Sequence, residues 1–258
     1  MIKKHFLKIL IFLFCLLQLN AKPNIVFFFI DDMGWTDLGY MGSKYYESPN
    51  IDQLAKEGMV FMNAYAAAPN CAPSRACLMS GQYSPSHGIF TVGNSDRGSP
   101  KHRKLIPIKN TTHLGEEFIT LGEALQAGGY VTATVGKWHL GEDPTTQGFD
   151  VNIAGKIWGS PSGGGYHSPY KYPNLEQKEK GEYLTDRLGQ EACKFIEKNK
   201  DNPFFLYLTH YSVHTPIQAK SELKKKYEKK KVTDRHSNAA YAAMIESTDD
   251  SIGAVLDK

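Results

Sequence analysis

Four short groups of residues carry side chains able to do chemistry. Asp31 and Asp32 follow directly on the apolar run Asn24 to Ile30. Two adjacent carboxylates at a strand end suit a hard divalent cation that takes oxygen ligands, and they equally suit a plain Asp-rich turn. Cys71 opens the run Cys-Ala-Pro-Ser-Arg, with Pro73 placed for the first turn of a helix. A side chain there meets free backbone N–H groups and the positive end of the helix dipole, and Arg75 adds a planar fork of donors for an oxyanion. On these grounds Cys71 is a structural cysteine, a reactive thiol or a disulfide partner of Cys77, with nothing local to choose among them. Lys137, His139 and His214 also follow strand-like runs; each alone reads as a surface lysine or a hydrogen-bonded histidine.

The elements that position these residues alternate. Asn24 to Ile30, Tyr130 to Val135 and Pro203 to Thr209 are short apolar runs of the buried-strand type. Met59 to Tyr65 is a further strand candidate just before Cys71. Helices are expected from Ser48-Pro49 through Lys56 with a stop at Gly58, over 76–80, 120–127 and 184–199, and from Ser237 to the end. The alternation predicts an α/β fold, a mixed and mostly parallel central sheet flanked by helices. Gly155 to Pro173 should be a long surface loop, flexible or contacting substrate; its glycines lack the Lys-Ser/Thr ending of a phosphate-cradling loop. The lysine-rich run Lys220 to Lys231 reads as a solvated helix face.

Length and charge narrow the classes. The chain has 258 residues, 41% hydrophobic and 22% charged, enough to bury a sizeable core. Lys3, Lys4 and Lys8 precede the apolar run Ile9 to Leu19 and the small residue Ala21, the order of a secretory signal peptide over residues 1–21 and too short for a membrane span. Its removal takes three of the 30 basic residues and none of the 27 acids, leaving a neutral chain with no charge-based case for nucleic-acid binding and no stable membrane anchor. Cys15 leaves with it, and the remaining Cys71, Cys77 and Cys193 are an odd number in an exported chain.

C-A-P-S-R resembles the C-x-P-S-R signature of the type I sulfatases, members of the alkaline phosphatase superfamily. The resemblance extends to NIVFFFIDDMGWTDLGYMG, to SPNIDQLAKEGMVFMNAYAAAPNCAPSRACLMSGQYSPSHG, to GYVTATVGKWHLG and to PFFLYLTHYSVHTP, in family order across residues 24–216. It implies that Cys71 is oxidised by a formylglycine-generating maturation enzyme to a formylglycine nucleophile lying near a calcium ion. It implies Asp31 and Asp32 as calcium ligands, Arg75 as stabiliser of the formylglycine hydrate, and Lys137 and His139, on one face of a short extended segment, as contacts to sulfate and nucleophile. His214 would contact the sulfate ester and donate a proton to the leaving oxygen. The implied reaction is hydrolysis of a sulfate monoester on a sulfated carbohydrate or aryl compound. One hydroxyl of the hydrated aldehyde attacks sulfur, and the other then expels sulfate with His139 as base. Two alternatives stay open: a phosphonate or phosphate ester hydrolase of the same superfamily, and a non-catalytic binder of sulfated glycans.

Members of that family carry a later strand ending in an Asp-Asn pair and a further Lys on the sulfate. Nothing after His214 fits, and Asp249-Asp250 falls inside a helical pattern. Residues 22–258 are therefore expected to be the N-terminal part of a sulfatase catalytic domain, inactive and poorly stable by itself. An exported, periplasmic or extracellular protein used in polysaccharide degradation would fit the family pattern.

Overall fold

The computed structural model describes residues 22–232 and 235–258. The expected leader, residues 1–21, lies outside them.

Among the described residues, four strands form one sheet: β1 (Ile25–Phe29), β2 (Val131–Gly136), β3 (Val151–Ile153) and β4 (Phe204–Thr209). Their order is β1-β4-β2-β3, and every pairing among them is parallel. Period-two alternation splits the side chains of β4 between two cores. Phe204, Leu206 and Leu208 enter one hydrophobic cluster, and Phe205 and Tyr207 enter the other. Both faces are thus covered, which is why the strand reads as an unbroken apolar run. Each such side chain contributes about 1.5–3 kcal/mol by leaving water.

Among the described residues, seven α-helices accompany the sheet: α1 (Pro49–Glu57), α2 (Cys71–Ser80), α3 (Ser84–His87), α4 (Leu121–Ala127), α5 (Leu184–Asn199), α6 (Ser221–Glu228) and α7 (Ala239–Leu256). α5 and α7 supply Leu184, Leu188, Met244 and Ile245 to the first core. α2 supplies Ala72, Ala76 and Met79 to the second. α4 starts with a full capping box, in which the Thr120 hydroxyl accepts from the Glu123 N–H and the Glu123 carboxylate accepts from the Thr120 N–H. Asp249 also has a structural task. Its carboxylate on α7 accepts from the N–H groups of Asn50 (3.1 Å) and Ile51 (2.8 Å), satisfying the first turn of α1. Among the described residues, no helix is long and apolar enough to cross a membrane.

Two expectations need correction, and one strand was not foreseen. Met59 to Tyr65 is not a strand but an irregular segment, with Met59, Phe61, Met62 and Tyr65 all exposed. It has no sheet neighbour among the described residues, and an apolar run without a ladder partner does not make a strand. Residues 155–173 are not a simple surface loop: Tyr166, Tyr170 and Tyr172 are buried in the first core. Val151–Ile153 is a strand that its three residues were too short to announce. The lysine-rich run is helical as expected, with Lys226 bridging Glu47 and Glu246.

Candidate active site

The carboxyl ends of β1, β2 and β4 lie side by side, where open α/β sheets gather their ligands. Asp31 and Asp32 follow β1, Lys137 and His139 follow β2, and His214 ends the turn after β4. Backbone pairing continues past the strands: Asp31 N–H donates to Ser212 O (3.1 Å), Val213 N–H to Asp31 O (2.7 Å), and Lys137 N–H to Thr209 O (2.7 Å). Gly136 makes the last contact possible. At φ 114° a Cβ there would sit 1.9 Å from Thr209 O, so no other residue fits.

Asp31 is the centre of the charge network. Its Oδ1 lies 3.1 Å from an Arg75 guanidinium nitrogen and its Oδ2 lies 2.5 Å from Lys137 Nζ, all three groups being buried. Burial opposes ionisation of Asp31, but the two cations outweigh it and hold its carboxyl below the usual value. Arg75 also donates to the carbonyl of Lys137 (2.7 Å) and to Thr209 Oγ1 (2.6 Å), and its guanidinium lies 5.0 Å from the centroid of the Phe29 ring. One side chain on α2 thereby joins the ends of all three strands.

Cys71 is the first residue of α2 and is half-buried. Asn70 precedes the helix in an extended conformation, and its side chain caps no N–H there. Cys71 stands at the helix N-terminus close enough to Arg75 and Lys137 to interact electrostatically with both cations. The cysteine alternatives narrow here, because Cys71, Cys77 and Cys193 are all free thiols. Cys77 is buried against His87, with its sulfur 3.4 Å from Nε2.

The segment carrying Lys137 and His139 is not extended throughout, since His139 takes φ 64°. Lys137 is fully buried and turned to Asp31. Burial, followed by the charges of Lys137 and Arg75, pushes His139 down to about 3, so its imidazole is neutral near pH 7. Its Nδ1 and the Nε of Arg75 are buried with no hydrogen-bond partner among the described residues.

Asp32 is exposed and left-handed, at φ 57°. His214 donates from Nδ1 to the Thr215 carbonyl at 2.6 Å, which leaves Nε2 to face Asp32 Oδ2 at 3.7 Å. Asp31, Asp32 and His214 each offer a ligand atom within 4.8 Å of the others. Two carboxylates and orphaned polar atoms fit a hard cation beside an oxyanion, while the imidazole is the least usual member of such an oxygen-rich set.

Sequence reasoning missed three supports. The Tyr166 hydroxyl lies 2.8 Å from the carbonyls of both Tyr211 and His214, fixing the turn after β4. The Tyr241 hydroxyl donates to Asp37 Oδ2 (2.7 Å) and lies 3.2 Å from Asp32 O, while Asp37 accepts from Gly34 N–H (2.9 Å). Thr209 receives Arg75. Asp37 was visible in the Asp-Asp-Met-Gly-Trp-Thr-Asp run, but Tyr166 and Tyr241 are distant in sequence and left no local signal.

With this geometry in place, comparison with known proteins is direct. The sulfatase family model matches residues 23–258. A sulfatase of Formosa agariphila is 35% identical over 295 residues, covering 92% of this chain and 53% of that protein. The human N-acetylgalactosamine-6-sulfatase is 33% identical over 262 residues, covering 91% of this chain and 46% of its own length. Among solved structures, Ps i-CgsB is 33% identical with a TM-score of 0.73, over 92% of this chain and 55% of that one. The chain spans about half the length of the curated relatives it matches. Its parallel α/β sheet is the alkaline-phosphatase-like fold of these relatives, and the chain belongs to the sulfatase family.

Proposed function

We propose that the full-length protein hydrolyses sulfate monoesters of a sulfated glycan, using residue 71 as a formylglycine nucleophile with calcium beside it. The observation that carries this reading is the joint grip of Arg75 and Lys137 on Asp31, next to the helix N-terminus that bears Cys71. A sulfate ester is a dense anion, and fixed donors in a water-poor site stabilise its charge far better than mobile water does. Calcium, held by Asp31 and Asp32 near residue 71, would add positive charge at the sulfate oxygens. Matured residue 71 would present two hydroxyls on one carbon, one to attack sulfur and the other to release sulfate afterwards.

The remaining roles follow from the protonation of this chain's own side chains. His214 holds a proton on Nδ1 against Thr215, so Nε2 is the atom that takes up a proton and delivers it to the departing oxygen. His139 is neutral and offers a nitrogen acceptor to a hydroxyl of residue 71. Arg75 and Lys137 hold the anionic centre and the strand ends in one place. The resemblance of Cys71-Ala72-Pro73-Ser74-Arg75 to the family signature supports recognition by a maturation enzyme. The signal-like residues 1–21 support export to the periplasm or the medium.

The glycan is inferred from relatives. A solved structure of Ps i-CgsB is in complex with a neocarrahexaose, and the mammalian relatives are named for N-acetylgalactosamine 6-sulfate. The test is hydrolysis of 4-nitrophenyl sulfate and 4-nitrophenyl phosphate by the matured full-length protein. The sulfate should turn over faster; a phosphate rate well above the sulfate rate would contradict the reading.

A further inference from the structure

Tyr207 carries a hydroxyl that its packing does not need. Its ring is fully buried in the second core, with the ring centroids of Phe27, Phe29 and Phe149 at 5.9, 6.1 and 6.3 Å. Phenylalanine would make the same ring contacts. The hydroxyl itself is buried with no hydrogen-bond partner among the described residues, and burying a hydroxyl in that state costs stability.

The hydroxyl stands by Arg75. Tyr207 and Thr209 are two positions apart on β4, so their side chains leave the sheet on one face, the face that α2 covers. Thr209 Oγ1 accepts from one Arg75 nitrogen at 2.6 Å, and the guanidinium lies 5.0 Å from the centroid of the same Phe29 ring that packs on Tyr207. Phenol and guanidinium also interact electrostatically: burial pushes Tyr207 up, and the Arg75 cation opposes that rise. Arg75 has an unmet need of its own. Its terminal nitrogens are taken by Lys137 O, Thr209 Oγ1 and Asp31 Oδ1, whereas its Nε–H is buried without a partner among the described residues.

The two needs match. Thr209 Oγ1 gives its proton to Lys137 O (3.0 Å) and one lone pair to Arg75, which leaves it a second lone pair. A phenol beside both groups can accept from Arg75 Nε–H and donate to that lone pair. We propose that Tyr207 is a positioning residue for Arg75. Its hydroxyl closes these two bonds when an oxyanion sits at residue 71, and so fixes the guanidinium in the plane that meets the anion. Hydrogen bonds around an active site are commonly long before the substrate arrives and tighten with it. The inference rests on the sulfatase reading only for the identity of that anion.

The test is a double-mutant cycle in the matured full-length protein, read by calorimetric binding of inorganic sulfate. Tyr207→Phe should weaken sulfate binding by about tenfold, the scale of one hydrogen bond to a charged group, and lower kcat/KM for 4-nitrophenyl sulfate by a similar factor. The urea midpoint should stay level or rise, since phenylalanine buries no orphaned hydroxyl. Lysine has no donor where arginine carries Nε–H, so in the Arg75→Lys protein the same Tyr207→Phe change should shift sulfate binding by less than about twofold. Should Arg75→Lys fail to fold, Thr209→Val removes the acceptor at the other end, and Tyr207→Phe should then add less than about twofold to its loss. The proposal is overturned if Tyr207→Phe leaves sulfate binding unchanged, if its effect is equally large in these second backgrounds, or if the unsubstituted protein binds no sulfate. A urea midpoint that falls together with activity would also overturn it, as the mark of a purely structural role. A protein that binds sulfate and shows the coupling, yet does not hydrolyse 4-nitrophenyl sulfate, would strike the sulfatase reading and leave the role of Tyr207 standing.

Discussion

The hydroxyl of Tyr166 lies 2.8 Å from the carbonyl of His214, across 48 positions of sequence. The same hydroxyl reaches the Tyr211 carbonyl at 2.8 Å, so one buried side chain from the glycine-rich segment ties down both ends of the turn that presents His214. Tyr166→Phe keeps the ring and takes the hydroxyl donor from the His214 carbonyl, while the Tyr211 carbonyl still accepts from the His214 N–H (3.0 Å). It should cost about 1–3 kcal/mol in urea unfolding, the penalty for unsatisfied buried polar groups, and lower turnover more than substrate binding. An unchanged unfolding midpoint would mean that the turn is held by other contacts.

Gly136 sets the closest approach between β2 and β4. Gly136→Ala forces a Cβ into the Thr209 carbonyl and a left-handed conformation on alanine, so the protein should lose more than about 3 kcal/mol or fail to accumulate folded. Gly42→Ala is the control: its φ is 100°, but nothing lies within 4 Å of the added Cβ. It should lose only the backbone preference, about 1–2 kcal/mol. Equal losses in the two variants would remove steric fit from the explanation.

Much of this arrangement was legible in the sequence, for a specific reason. β2 and β4 are buried on both faces and β1 is partly covered by the two cores, so each appears as a continuous apolar run, and Asp31, Lys137 and His214 could be placed just beyond their ends. Cys71 was legible because Pro73 and the following residues signal a helix start. What stayed hidden depends on distance. Met59 to Tyr65 has strand composition but no pairing partner among the described residues, and composition does not report a partner. The tyrosines of 155–173 looked like loop aromatics because nothing local tells that Tyr166 reaches Tyr211 and His214. The left-handed turns at Asp32 and His139 are set by tertiary contacts as well.

His210 gives a pH signature. Its imidazole is wholly buried and burial pushes it down to about 3, whereas in the unfolded chain it titrates near about 6.5. Between those values the unfolded chain binds the extra proton, so stability falls as pH falls, by up to about 1.4 kcal/mol per pH unit from this group. His139 acts in the same direction. His210→Gln retains a partner for Ser251, 3.2 Å away, and should flatten the decline in urea midpoint between pH 7 and 5. A slope identical to that of the unsubstituted protein would contradict this.

The cation reading separates ligand from support. Asparagine tolerates the left-handed conformation of Asp32, so Asp32→Asn should leave unfolding within about 0.5 kcal/mol and abolish calorimetric calcium binding. Tyr241→Phe removes the hydroxyl that holds Asp37 and the Asp32 carbonyl, and should weaken calcium binding severalfold without abolishing it. Calcium binding that survives Asp32→Asn undiminished would place the ion elsewhere.

The measurement that bears most directly on the central claim is peptide mass spectrometry of residue 71 in the full-length protein from its natural producer. The account predicts an aldehyde in place of the thiol on the peptide containing Ala72-Pro73-Ser74-Arg75. An unmodified cysteine there, in protein that nonetheless hydrolyses sulfate esters, would contradict the proposed nucleophile; an unmodified cysteine in inactive protein would contradict the enzyme itself.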